Sequence, residues 1–162
     1  MEKTRHCPCI SVIDASVAAK WFLKDAAEQD VDLAEHILAA FEAGYTELHA
    51  PRIFTYEVAN LLAKACGTRG PVTRRPRKLK AEALRDLEVL FALPIGLPEP
   101  TCAEAQSALE GAVTWSKTLY DMAYLWLAEE LDCQWCTVDD KVLVSSPALF
   151  PKERVLLLSS LR

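Results

Sequence analysis

Glycine is scarce in this chain, five residues in 162, and none forms the Gly-rich loop that cradles a nucleotide triphosphate. Nine prolines and an apolar fraction of 51% also exclude a collagen-like repeat or low-complexity disorder. No uncharged apolar run approaches the roughly 18 residues that a bilayer span needs. The first apolar stretch makes a poor export signal, because it carries Asp14 and ends at Lys20 without a small-residue cleavage site. We therefore expect a cytoplasmic protein with no membrane association. The three histidines, His6, His36 and His49, lack metal-site or triad spacing and are expected to be incidental.

Cysteine, by contrast, is well represented. Without an export signal the six cysteines are expected as reduced thiols rather than a disulfide framework. Cys7 with Cys9 (CPC) and Cys133 with Cys136 (CQWC) nevertheless have spacings that leave a structural zinc open.

Eighteen bases against 23 acids give a formal net charge of -5, which argues against a protein that coats duplex nucleic acid. The distribution is more informative than the sum. Between residues 69 and 80 stand Arg69, Arg74, Arg75, Arg77, Lys78 and Lys80 with no acid among them, and setting those six aside leaves 12 bases against 23 acids, or -11. An acidic body thus carries one basic segment, which is either a solvated loop or a contact for phosphates.

Residues 10–13 (ISVI) form an apolar, β-branched run closed by Asp14 and read as a buried strand. Helical character follows over 15–23 and again over 31–43, where Gly44 stops it. A weaker strand at 47–50 (ELHA) precedes Pro51 and a helix that runs to about residue 66 and stops at Gly67. Leu79, Leu84, Leu87, Leu90 and Phe91 recur at helical spacing. PIGLP at 94–98 has room only for a short edge strand, since proline cannot donate to a ladder. Thr101 with Glu104 is a capping-box signature, 118–131 is a buried helix, and 134–138 and 155–158 complete about five strands. Strands alternating with helices imply right-handed crossovers and a parallel sheet covered on both faces. The expected fold is α/β, a single three-layer α/β/α domain spanning residues 1–162.

Four acids stand where packing alone would not put them. Glu57 lies on the apolar stripe of its helix, four residues after Ile53 and four before Leu61, where an unpaired carboxylate is costly. Asp14 and Asp139 follow the carboxyl ends of two strands, and Asp121 sits three residues after Thr118 at a helix start. Each of these three has an alternative reading as a helix cap. Jointly, all four map to the carboxyl edge of the sheet, the crevice where open α/β sheets bind ligands. Four carboxylates sharing a small site repel one another, and hard divalent cations resolve the conflict. An all-oxygen set suits Mg2+ or Mn2+ rather than zinc, and two such ions can activate water for attack on a phosphate ester.

These residues resemble a PIN domain, and specifically the VapC toxins of bacterial toxin-antitoxin pairs. The resemblance rests on SVIDASVAAKWFL (11–23), APRIFTYEVANLLAKA (50–65), TLYDMAYLWLAEEL (118–131) and CTVDDKVL (136–143), in the family's order over most of the chain. It implies that Asp14, Glu57, Asp121 and Asp139 are the catalytic, metal-binding acids, with Asp140 an alternative fourth ligand. It further implies that Ser16 helps hold the first carboxylate or a metal-bound water, and that Thr137 supplies a hydroxyl beside the fourth acid. Members of the family are Mg2+-dependent endoribonucleases that dimerise and are silenced by a cognate antitoxin, here a VapB-like protein. The implied strand order, 3-2-1-4-5, would bring Cys7 and Cys9 near Cys133 and Cys136, at the edge opposite the acids. Arg74, Arg75, Arg77 and Lys78 are the expected RNA phosphate contacts, placed beside the acidic cleft.

Two other readings compete. A catalytically silent PIN-like module that binds RNA or protein has no need of Glu57 on an apolar stripe. A phosphatase with an Asp-x-Asp loop would carry a second aspartate where Ser16 stands. Trp21, Trp115, Trp126 and Trp135 are expected mostly in the core rather than as base-stacking platforms.

Overall fold

The computed structural model describes residues 9–24, 29–67, 76–144 and 146–162. The first strand, β1 (Cys9–Ile13), ends where Asp14 takes an extended conformation and caps the short helix α1 (Ala15–Ala18), which tightens into a 3-10 turn over Ala19–Trp21. Helix α2 (Val31–Glu42) ends before Gly44, whose φ of 74° lies in the left-handed region that favours glycine. Strand β2 (Thr46–His49) feeds α3 (Phe54–Ala65), whose buried stripe of Phe54, Val58, Leu62 and Ala65 follows the helical period. Gly67, at φ 85°, stops it. Then come α4 (Lys80–Ala92), α5 (Cys102–Trp115), α6 (Leu119–Glu130), β3 (Gln134–Thr137) and β4 (Val155–Leu157). The expected capping box opens α5, with Glu104 N–H donating to Thr101 Oγ1 at 3.2 Å.

All strands are parallel, in the order β2-β1-β3-β4. Helix α2 lies over the face that presents Ser11, Ile13, Leu48, Cys136 and Leu156, while α6 packs against β1 and β3, with α5 behind it. The result is the expected three-layer α/β/α sandwich. Val12, Ile13, Leu48 and Trp135 are fully or almost fully buried at its centre. Burial of each aliphatic side chain contributes roughly 1.5–3 kcal/mol relative to exposure.

Among the described residues the strand count is four, one fewer than expected. The PIGLP segment contributes a single bridge beside β2, in which Gly96 N–H donates to Leu48 O at 2.8 Å and Ala50 N–H to Gly96 O at 2.9 Å. Pro94 and Pro98 bracket that bridge and offer no donors to extend it. A Cβ on Gly96 would lie 2.3 Å from His49 Nδ1, so any side chain there would need the imidazole to move. With this rudimentary edge counted, the spatial order matches 3-2-1-4-5.

Candidate functional site

The carboxyl edge of the sheet gathers the acids by three separate devices. Asp14 is stitched to the neighbouring strand through its backbone N–H, which donates to Cys136 O at 2.9 Å. Its carboxylate accepts from Ser16 N–H at 2.7 Å on Oδ1 and from Trp135 Nε1 at 3.0 Å on Oδ2. Burial pushes the Asp14 carboxyl above its usual range, opposed by hydrogen bonds from Ser16, Thr137 and Trp135. Thr137, itself fully buried, therefore serves the first acid, and its Oγ1 also accepts from Asp139 N–H at 3.1 Å.

Glu57 comes from the first turn of α3 and is partly buried. Its Oε2 accepts a 2.6 Å hydrogen bond from the Tyr124 hydroxyl on α6. Burial raises its pKa; the Tyr124 bond works the other way, and the charges of Asp14 and Asp121 raise it further. That mutual repulsion places three of the four expected acids in one electrostatic neighbourhood. Asp121 is also the cap that its spacing suggested, its N–H donating to Thr118 Oγ1 at 3.0 Å and Thr118 N–H returning to Asp121 Oδ2 at 3.4 Å. The capping box fixes the first turn of α6, and with it Asp121, near enough to Glu57 for the two charges to interact.

Asp139 stands apart. It is exposed, and its Oδ1 caps the 3-10 turn that follows β3 by accepting from Lys141 N–H at 3.0 Å. Ser16 Oγ accepts from Val138 N–H at 3.4 Å and so ties this turn to α1. Asp140 is exposed within the same turn. Lys117, at the entry to α6, donates to Lys141 O at 3.2 Å and Val144 O at 3.1 Å, joining the acid-bearing helix to the acid-bearing turn. Among the described residues no three His, Cys, Asp or Glu side chains form a ready-made metal-binding group. The donor chemistry fits a hard divalent cation all the same: Asp14, Glu57 and Asp121 offer only oxygen, and repulsion among them is what such an ion relieves.

Arg74 and Arg75 lie outside the described residues. Arg77 and Lys78 do not sit beside the acids: both backbone N–H groups donate to Ala65 O, eight residues beyond Glu57 and so about 12 Å along the α3 axis. The ammonium of Lys78 is also turned inward, donating to Phe22 O at 2.8 Å and pairing with Asp86 at 2.7 Å.

The described cysteines do not assemble as a zinc site would require. Cys9 is exposed at the start of β1, whereas Cys136 is buried at the carboxyl edge, directly beneath Asp14. Burial and the nearby Asp14 charge push the Cys136 thiol up to about 12, which keeps it protonated and a poor ligand. Cys7 lies outside the described residues. Tyr124 and Trp135 are buried core aromatics, yet each delivers a donor to a cleft carboxylate, a role that nothing in their local sequence marks.

Neither the protein-family models nor the sequences of curated proteins match this chain. Its fold, however, matches solved structures over most of their lengths. PAE2754 from Pyrobaculum aerophilum superposes with a TM-score of 0.60 at 21% identity, covering 94% of this chain and 92% of that one. VapC20 from Mycobacterium tuberculosis, a sarcin-ricin loop cleaving toxin, gives 0.59 at 14% identity over 87% and 99%. A chain of VapBC2 from Rickettsia felis, solved bound to a DNA fragment from its promoter, gives 0.56 at 10% over 91% and 98%. The protein therefore shares the fold of VapC toxins.

Proposed function

We propose that the protein is a Mg2+- or Mn2+-dependent endoribonuclease of the VapC kind, the toxin of a pair restrained by a VapB-like antitoxin. In this reading it acts in the cytoplasm, as a homodimer, on RNA. Among the described residues no helix is long and apolar enough to cross a membrane. The fold shared with VapC20 and with VapBC2 supports both the RNA substrate and the antitoxin partner.

One observation carries the reading: at the carboxyl edge Glu57 is raised first by its burial and further by the charges of Asp14 and Asp121, a cost that packing would avoid. Asp14, Glu57 and Asp121 would hold the ion, with Asp139 completing the set from the turn after β3. Bound there, a divalent ion supplies a Lewis acid for the phosphodiester and lowers the pKa of the attacking water. Ser16, Thr137 and Trp135 keep the Asp14 carboxylate oriented, and Tyr124 does the same for Glu57. Cys136, which burial keeps protonated, is not poised as a nucleophile; with water as the proposed nucleophile, no covalent intermediate would form.

Incubation of the purified protein with structured RNA tests this directly. Internal cleavage is expected with Mg2+ or Mn2+ and not with chelator, and Asp14→Ala and Asp121→Ala variants that stay folded should be inactive. Cleavage that survives either substitution would sink the nuclease mechanism; RNA binding without cleavage would favour a silent module.

A further inference from the structure

Both carboxylates drawn furthest under the cleft are held by an aromatic donor, and the two donors are stacked on one another. Trp135 Nε1 reaches Asp14 Oδ2 at 3.0 Å, and the Tyr124 hydroxyl reaches Glu57 Oε2 at 2.6 Å. The ring centroids are 5.5 Å apart with an interplanar angle of 11°. Trp135 is 0% and Tyr124 2% exposed, so neither ring can stack on a nucleotide. One belongs to β3 and the other to α6, elements separated only by the short turn after Glu130.

We propose that this stacked pair is a positioning unit, which fixes the Asp14 and Glu57 carboxylates relative to each other before a divalent cation enters. The inference rests on the metal-dependent reading above and deepens it by assigning two residues that do not touch the ion. Packing requires only the rings: a phenylalanine would fill nearly the same volume at Tyr124, and at Trp135 it would keep the six-membered ring while leaving a small cavity. The indole N–H and the phenol O–H are additional, and each is spent on a carboxylate. An ionised carboxylate has about four lone-pair sites, so one aromatic donor per acid sets its rotamer while leaving Oε1 of Glu57 and the remaining lone pairs of Asp14 for a cation. Two like-charged side chains would otherwise swing apart, and a flexible Glu has several rotamers in which to do so. Because the rings brace each other, displacing one donor disturbs the other.

Trp135→Phe and Tyr124→Phe remove a donor and keep a ring in the stack. Mn2+ binding, measured by calorimetry and by electron paramagnetic resonance, is expected to weaken roughly 10- to 100-fold in each variant, the range typical when a partner of a ligating carboxylate is lost. Thermal unfolding should stay within a few degrees of wild type in Tyr124→Phe and fall further in Trp135→Phe, whose cavity adds a packing cost, so Mn2+ affinity is compared well below both midpoints. The double variant should lose less than the product of the two single losses, since the donors act as one unit. Mg2+ should also change the indole emission of the wild type by a component absent from Trp135→Phe. Wild-type Mn2+ affinity in both folded variants would overturn the proposal and leave the pair as core packing. Losses that simply multiply in the double variant would overturn the single-unit claim. A wild-type protein that itself binds no Mn2+ would instead overturn the metal-dependent reading beneath it.

Discussion

Two neighbouring parallel strands of this sheet run into aspartates of opposite character. Asp14, after β1, is drawn under the cleft, bonded by Ser16 and Trp135, and raised in pKa by its burial. Asp139, after β3, is exposed and satisfied by the backbone of its own turn. Local capping accounts for Asp139 completely. It accounts for only one of the hydrogen bonds to Asp14, and not for why a carboxylate should be placed beside Glu57 at all. The difference teaches where to look for function: an acid whose electrostatic cost exceeds what its capping role requires.

The largest effect expected from breaking this comparison is in activity. Asp14→Ala should reduce RNA cleavage to the level seen with chelator, whereas Asp139→Ala should leave a weaker but measurable rate. Equal losses would show that a bound ion draws the exposed aspartate fully into the site. Glu57→Gln should also abolish cleavage while stabilising the metal-free protein at neutral pH, because glutamine still accepts from Tyr124 and no longer repels Asp14 and Asp121. Each kcal/mol gained raises Tm by about 2–4 °C in a domain of this size, measurable by calorimetry.

A third test follows the raised carboxyls through pH. Their native pKa values lie above the unfolded ones, so between the two the native state holds more protons and stability falls as pH rises. Below about pH 4 both states are protonated and this penalty vanishes. The Tm gap between metal-free Glu57→Gln and wild type should therefore widen from about pH 4 towards neutrality and shrink when Mg2+ is added. A gap independent of pH would remove electrostatic strain from the account.

The smallest expected effect on activity comes from the far end of α3. Lys78→Met breaks the Asp86 pair and the bond to Phe22 O, costing roughly 1–3 kcal/mol in stability by chemical denaturation. Cleavage per folded molecule should be unchanged. A loss of RNA affinity in a folded Lys78→Met protein would bring the basic segment back into contact with substrate.

Much of the fold was legible because it is written in local patterns. The β-branched ISVI run, the Gly44 and Gly67 stops and the Thr101–Glu104 box each appear where local chemistry puts them. The fifth strand failed because whether a PIGLP segment pairs depends on the edge it meets, and two prolines left only Gly96 able to bridge. Glu57 was legible as an acid on an apolar stripe. Its partner Tyr124, 67 residues away, was not, because nothing local distinguishes a tyrosine that fills a core from one whose hydroxyl reaches a carboxylate.

By itself, then, the sequence determined the α/β alternation, the stops and caps, and the four acids carried to the carboxyl edge, since each depends on residues within a few positions of one another. The tertiary structure alone decided which acids carry electrostatic strain, which aromatic rings hold them, and that Lys78 points inward. Those outcomes depend on burial and on contacts between distant segments, and a charge has no fixed energy until its surroundings are assembled.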